Sequence, residues 1–367
     1  MAETSLSEAY DIVVVGAGPA GSSAAGAAAR KGPTVLLIDR RPRIGIPVQC
    51  AELVSQWITR YASFTPDCIV QATETMVTHL LDSDFHDKTH EMKSPGYMLD
   101  RSLFDQELTL DAVSAGAKLL TETRAIGLSN RELLIDRGGK KVTLRPKVIV
   151  GADGVHSLIG RWSGLPPMKK MVALQVEVFN PVIRRQAEVF FHRDYEGGYA
   201  WFFPKGKRAN IGLGIAPSRI PHLSRLLDRF LDYLVETGRL PGVDILRKTG
   251  GSIPAERPRQ AVLKNVLLVG DAAGHAHPIT GAGILNAVVG GRIAGCVAAE
   301  AVRREDLNHL LNYETEWQET FGGFLSYGAT KREFLEKNWE NPEMDFEDLI
   351  RKTWVGFKEY YEGRRQG

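Results

Sequence analysis

The run IVVVGAGPAG at 12–21 places glycines at 16, 18 and 21, a spacing suited to cradling a diphosphate. Gly16 permits a tight turn after a strand, Gly18 lets the backbone close on the phosphates, and Gly21 lets the following helix pack on the strand, so free N–H groups face the anion at a positive helix end. Asp39 ends the next apolar run, 23 residues after Gly16, where an acceptor for ribose hydroxyls belongs. The segment VLLVGDAAGHAHPITGAGIL, ending at Leu285, answers this pattern late in the chain. There Asp271 closes a second apolar run, and a Pro- and Gly-rich turn opens another helix. The glycine fingerprint alone does not separate NAD from FAD, but paired with the late acid and helix it describes a whole FAD held at both ends.

Other reactive residues are sparse. Cys50 follows a Pro-containing loop, and with Cys68 and Cys296 it makes three cysteines in 367 residues, too scattered for a disulfide framework or a zinc site. The nine histidines show no metal-ligand spacing, so no metal is expected. A net charge of +2 gives no global reason to expect nucleic acid. The local run KGKR at 205–208 reads as solvated surface, or as a neighbour of anionic headgroups or a diphosphate. No window approaches about 20 uninterrupted apolar residues, and the first ten residues lack a basic start followed by an apolar core. Cytoplasmic residence is the expectation, with membrane association left open.

These residues need a scaffold. A composition of 43% hydrophobic and 25% charged residues suits one large or two interleaved domains. Residues 11–39 read as strand, helix (20–31) and strand. An amphipathic helix is expected near 53–61, polar strand alternation to about 93, and a helix within 97–120. Strands resume at 121–129, in a hairpin around Gly138–Gly139 and at VIVGADG. From 170 to 251 the pattern becomes alternating aromatic strands, interrupted by a helix near 222–237, and 305–367 read as helical. The fold class expected is α/β: one FAD-binding Rossmann-like domain (1–72, 97–165 and 256–304) interleaved with an antiparallel-sheet substrate domain (73–96 and 166–255), then a helical C-terminal segment.

Three ordered segments, GAGPAG, GADGVHSLIGR at 151–161 and GDAAGHAHPITGAG at 270–283, make the chain resemble the single-FAD flavoproteins of the para-hydroxybenzoate hydroxylase fold over nearly its full length. IGIPVQCAE at 44–52, YMLDRSLFD at 97–105 and above all YAWFFPK at 199–205 narrow the resemblance to the geranylgeranyl reductase family. It implies FAD contacts at Gly16, Gly18, Ala20 and Gly21, at Asp39 for the adenosine ribose, at Arg101 near the pyrophosphate and at the backbone of Ala125. It further implies contacts at Asp271 for the ribityl chain and at Gly283 and Ile284 for the pyrimidine edge, with Arg40, Cys50, Ala51, Leu53 and Gly281 as additional cofactor neighbours. A helix start at the ring would stabilise negative charge on reduced flavin.

The same resemblance assigns Tyr199, Trp201, Phe203 and Pro204 to an apolar tunnel holding a polyprenyl chain, with Lys205 or Lys207 at its mouth to meet a phosphate. It implies hydride delivery from reduced flavin to a carbon–carbon double bond of an isoprenoid lipid or quinone side chain. Cys50, Tyr199 and His277, in that order, are the candidate proton donors. The electron donor stays open between NADPH and a ferredoxin-type protein. Membrane contact would be peripheral, with the aromatic and basic tail from Leu307 as the candidate surface; an amphipathic helix packed on the body of the protein is the equal reading of the same residues. Where the family pattern has a CGEG-like run, this chain has CAEL at 50–53, which puts the substrate in question. Blander readings stand beside each assignment: Asp271 as a helix cap, Arg101 in a surface ion pair, Cys50 as an inert core thiol, the aromatic strand as half-buried packing, and His275 and His277 as packing groups. An aromatic-ring monooxygenase and a flavoprotein passing electrons to a quinone are the rival functions.

Overall fold

The computed structural model describes residues 10–362. The residues read for a leader therefore lie almost wholly outside the described residues, as does the end of the tail. Six short apolar strands form the first sheet, in spatial order Val262–Leu263, Val266–Leu268, Val148–Gly151, Ile12–Val15, Val35–Ile38 and Lys118–Leu120. All neighbours run parallel except the first pair. The central strands are apolar at every position because both faces are covered. Helices Pro19–Ala29 and Ile284–Arg303 lie on one side, and a three-stranded antiparallel sheet (Thr123–Ser129, Glu132–Arg137, Lys140–Leu144) sends Leu133, Ile135 and Leu144 into the same core.

Helix Ile284–Arg303, 20 residues with a mean hydropathy of 1.3, is by length and composition apolar enough to cross a membrane. Its apolar surface is spent on close packing. Cβ atoms at Gly291 and Gly295 would lie 2.2 Å from the carbonyl oxygens of Ala20 and Ala24, so the two helices touch backbone to backbone.

The second sheet has eight strands, ordered Ile245–Pro254, Lys170–Phe179, Arg208–Ile215, Tyr199–Lys205, Gln186–Phe191, Ile69–Leu81, Asp87–Leu99 and Leu53–Ser55. It is antiparallel except where Gln186–Phe191 runs parallel to Ile69–Leu81. Strand alternation sends Ala200 and Phe202 toward helix Leu223–Glu236. Trp201 and Phe203 face the opposite way, toward the C-terminal helices.

One expectation is corrected here. The helix read at 53–61 is an edge strand, Leu53–Ser55, followed by the single turn Ile58–Tyr61. Pairing with Gly96–Met98 outweighs the local helical spacing. In the tail, Trp317, Trp339, Trp354, Phe357 and Tyr360 are buried against the body. Of the two readings of the tail, packing on the body is the one these rings follow.

Candidate active site

The early turn has the form its spacing implies. Gly16 sits at φ 103°, and a Cβ there would stand 2.4 Å from the Ala152 carbonyl oxygen, while one on Gly21 would stand 1.8 Å from that of Gly16. A Cβ on Gly18 would meet nothing within 4 Å. This open space lies in front of a helix start with no side-chain cap and no acid in its first turn, an arrangement suited to a diphosphate. Ala20 is buried behind it. The Asp39 carboxylate accepts the N–H groups of Ala17 and Arg41, each at 2.8 Å, and retains lone pairs for a ribose. Arg40 is exposed beside it. Ala125 lies at a register shift between its strand and the next.

At the other end Asp271 is half-buried, and no described residue donates a hydrogen bond to its carboxylate. Burial pushes its pKa up to about 6, with Arg101 opposing. Arg101 is gripped by both oxygens of Asp105 at 2.8 and 3.0 Å. Burial works against its charge, but Asp105 and Glu52 outweigh burial and hold it protonated. The helix beginning at Ile284 has Gly283 as its cap residue, again with no capping side chain and no acid in the first turn. A Cβ on Gly283 would be 3.4 Å from Asp271 Oδ1. Gly281 turns the chain into this helix at φ 68°. An unpartnered carboxylate, two uncapped helix starts and an open glycine cradle fit FAD, the last in the polarity of each contact.

Cys50 is half-buried. Burial raises its pKa, with Arg101 opposing, so it is a thiol at neutral pH. The second sheet ropes its loop down residue by residue. Gln175 Nε2 donates to the Cys50 carbonyl at 3.1 Å, and Asn210 Nδ2 donates to that of Ala51 at 3.1 Å. The Glu52 carboxylate accepts Lys205 Nζ at 2.6 Å, Asn210 Nδ2 at 2.8 Å and the Arg101 N–H at 3.0 Å. Glu52 lies at φ 70°, a conformation disfavoured for a residue with a Cβ; there its own N–H reaches Cys50 Sγ at 3.3 Å. Leu53 then enters the edge strand. Lys205 is thus corrected: it is buried and paired with Glu52, and stands at no tunnel mouth. Lys207 is exposed.

Trp201 joins this system because Gly212 lies between it and Gln175 in register. A Cβ on Gly212 would fall 2.6 Å from the indole; without one, Trp201 Nε1 crosses to Gln175 Oε1 at 3.0 Å. The Tyr199 hydroxyl donates to the Thr280 carbonyl at 2.5 Å, tying the aromatic strand to the late glycine turn, and burial raises its pKa. Phe203 stacks beside Trp201, and Pro204 is buried in the same strand. Trp354 of the tail packs on Tyr199 with centroids 5.0 Å apart. The cavity at Tyr199, Trp201 and Ile279 consequently measures about 30 Å³, room for a water or two and not for an isoprene unit. Trp339, Trp354 and Phe357 of the tail pack on this aromatic face.

The two histidines of the late motif face the tail. His277 Nδ1 accepts the Thr280 N–H at 3.2 Å, and Nε2 meets the Tyr360 hydroxyl at 3.3 Å. Burial lowers its pKa to about 4, so it is a neutral bridge with both nitrogens occupied. His275 is fully buried against Trp317 with both ring nitrogens unpartnered, and burial lowers its pKa to about 3.

Sequence reasoning passed over Glu52, Gln175, Asn210 and Arg332. A signal existed for the middle two, which are polar residues inside the apolar strand runs ALQVEVF and ANIGLGIA. Arg332, from the tail, lines the small cavity, where it is buried and paired through Nε with Glu336 at 2.7 Å.

The cradle, the late acid and the two-sheet architecture together define an FAD-dependent oxidoreductase, and residues 11–147 match the family described as FAD dependent oxidoreductase. Residues 173–252 match the geranylgeranyl reductase catalytic domain. A digeranylgeranylglycerophospholipid reductase of Methanothrix thermoacetophila is 38% identical over 89% of this chain and 87% of its own. A second reductase of that name, from Methanopyrus kandleri, is 37% identical over 93% and 92%. Among solved structures, a geranylgeranyl bacteriochlorophyll reductase-like protein of Thermoplasma acidophilum superposes with a TM-score of 0.81 at 28% identity, covering 94% of this chain and 96% of the other. A flavin-dependent brominase (TM-score 0.69, 18% identity, 91% and 90% covered) shares the fold. The chain belongs to the geranylgeranyl reductase family of FAD-dependent oxidoreductases.

Proposed function

We propose that this protein saturates carbon–carbon double bonds of an isoprenoid chain carried by a membrane lipid, with Cys50 as proton donor. FAD, held by the Gly16–Gly21 turn, Asp39, Arg101, Asp271 and the helix start at Ile284, supplies the hydride when reduced. One carbon of the alkene takes that hydride and its neighbour takes the thiol proton. The thiolate regains a proton from water, and the net change is two hydrogens added per bond. The observation that carries this reading is the pair of ties that bring thiol, aromatic strand and late glycine turn together: Gln175 between Cys50 and Trp201, and Tyr199 to Thr280. Burial keeps Cys50 and Tyr199 protonated, the state a proton donor needs. His277 ranks below them because both its nitrogens are engaged. Opening of the packed Trp354 contact is required to admit a chain.

The test is anaerobic incubation of chemically reduced, FAD-loaded protein with geranylgeranyl phospholipid and, separately, with menaquinone, read by mass. Two added hydrogens per double bond are expected, with a strong loss of product in Cys50→Ser at unchanged FAD content. Reduction of the quinone ring alone would favour the electron-transfer function, and oxygen incorporation into an aromatic substrate in air would favour the monooxygenase. Omitting chemical reductant and supplying NADPH or a reduced ferredoxin identifies the electron donor.

A further inference from the structure

A soluble catalyst that works on bilayer lipids needs a surface that meets the bilayer. The buried rings of the tail do not provide it. Exposed large apolar side chains concentrate elsewhere: Phe179, Val182, Ile183, Val243, Ile245 and Leu246 are each between 38% and 66% exposed. They form one rim, because two chain segments meet there. Val178 pairs with Ile245, and the Phe179 N–H donates to the Asp244 carbonyl at 3.1 Å. The rim is built and not frayed: the Asn180 N–H donates to Lys207 O at 2.9 Å, and its side-chain amide bonds both N–H and carbonyl of Val182. An apolar rim of this kind on a soluble protein marks an interaction surface.

Its border is basic. Lys207 and Lys248 are exposed and form no ion pair with a described residue. Arg185 is largely exposed, and Arg208 shares Glu177 with Arg247. Apolar residues able to enter the acyl boundary, bordered by lysines and arginines, are complementary to an anionic lipid surface. The rim is also continuous with the site. The strand that starts at Ile245 runs directly along the Cys50 loop: Thr249 Oγ1 donates to Val48 O at 3.1 Å, Gln49 Nε2 donates to Gly250 O at 2.9 Å, and Arg247 lies 3.8 Å from Glu52.

We propose that the rim formed by residues 179–183 and 243–246, with Lys207 and Lys248, docks this protein on an anionic lipid bilayer and delivers the lipid chain along strand Ile245–Pro254 to the Cys50 loop. Docking stands on the surface itself, whereas delivery rests on the isoprenoid reading. The experiment is co-sedimentation of FAD-loaded full-length protein with phosphatidylglycerol/phosphatidylcholine vesicles and with phosphatidylcholine alone. Wild type should bind the anionic vesicles, more weakly as salt rises. The double variant Ile183→Ser with Leu246→Ser should bind at least about ten-fold more weakly, and Lys207→Gln with Lys248→Gln should lose the preference for anionic lipid. The tail variant Phe324→Ser with Tyr361→Ser should bind like wild type. FAD content and the thermal melting temperature should be unchanged in the rim variants. No binding by wild type, equal binding by the serine variant, or loss confined to the tail variant would overturn the proposal. So would a wild-type dimer that the serine variant splits, since the rim would then be a contact between two copies. Vesicle binding without turnover in detergent would leave docking intact and remove the isoprenoid reading.

Discussion

Replacing Lys205 with Met tests the account of the Cys50 loop most directly. Lys205 and Glu52 form a contact of 2.6 Å between side chains that are 4% and 0% exposed. Removing one member of such a pair strands the other charge, at a cost of about 3–5 kcal/mol, whereas removing both is close to neutral. Glu52 would retain Asn210 at 2.8 Å, the Arg101 N–H at 3.0 Å and the Arg247 guanidinium at 3.8 Å, which places Lys205→Met at the lower end, near 3 kcal/mol. Glu52→Gln combined with Lys205→Met should recover most of that loss, because glutamine can still accept the Arg101 N–H while no bare charge remains. The assay is a double-mutant cycle from urea unfolding of FAD-loaded protein, alongside the iodoacetamide rate at Cys50, whose sulfur is aimed by the Glu52 N–H. A loss below about 1 kcal/mol for Lys205→Met, the magnitude of an exposed ion pair, would refute the reasoning. A double variant no more stable than the single would refute it as well.

Gly18→Ala should fold with normal stability, since its Cβ meets no protein atom, and lose FAD, while Gly21→Ala should fail to fold because its Cβ would lie 1.8 Å from the Gly16 oxygen; flavin absorbance and circular dichroism of both variants separate the outcomes. Asp271 has its pKa raised to about 6 in the folded chain, so the folded state binds more protons than the unfolded one between the usual carboxylate range and pH 6. FAD-free protein should lose stability as pH rises through that window, and Asp271→Asn should abolish the loss while weakening FAD binding by about 1–3 kcal/mol. The depressed pKa values of His275 and His277, about 3 and 4, act in the opposite direction, removing stability as pH falls below the ordinary histidine range. His275→Leu should shrink that acid sensitivity and be neutral or stabilising at pH 7, since two unpartnered buried nitrogens disappear; a destabilisation above about 2 kcal/mol in a thermal melt would mean that the ring has a partner after all.

The nucleotide-binding end of the fold was legible in the sequence because its signals are local. Gly16, Gly21 and Asp39 act within one strand–helix–strand unit, and the hairpin at Gly138–Gly139 and helix Leu223–Glu236 follow from turn chemistry and spacing. Features set by distant partners were not legible. Glu52 and Lys205 are 153 residues apart, so nothing in KGKR separates its buried lysine from its exposed neighbours. Leu53–Ser55 has too few residues to show a period, and its state is decided by Gly96–Met98 across the sheet. The tail shows the limit of amphipathic pattern: Trp339 and Trp354 need an apolar surface to cover, and the sequence does not say whether that surface is lipid or strand Tyr199–Lys205.

The edge strand Leu53–Ser55 belongs to the eight-stranded sheet, and every polar tie on residues 50–52 described above, save the Arg101 N–H, comes from that sheet. The backbone of the thiol's loop is therefore anchored to the substrate-side body, while the glycine cradle, Asp39 and Asp271 belong to the other. On the proposed role of Cys50, rocking between the bodies would alter the spacing between hydride source and alkene and change the alkene's spacing to its acid less. Proton delivery would then be less sensitive to how tightly the enzyme is closed, and closure would act mainly on one half of the reaction. Isotope effects offer a view of this division: a deuteride effect that varies with substrate length, beside a solvent effect that varies less, is what two such bodies would produce.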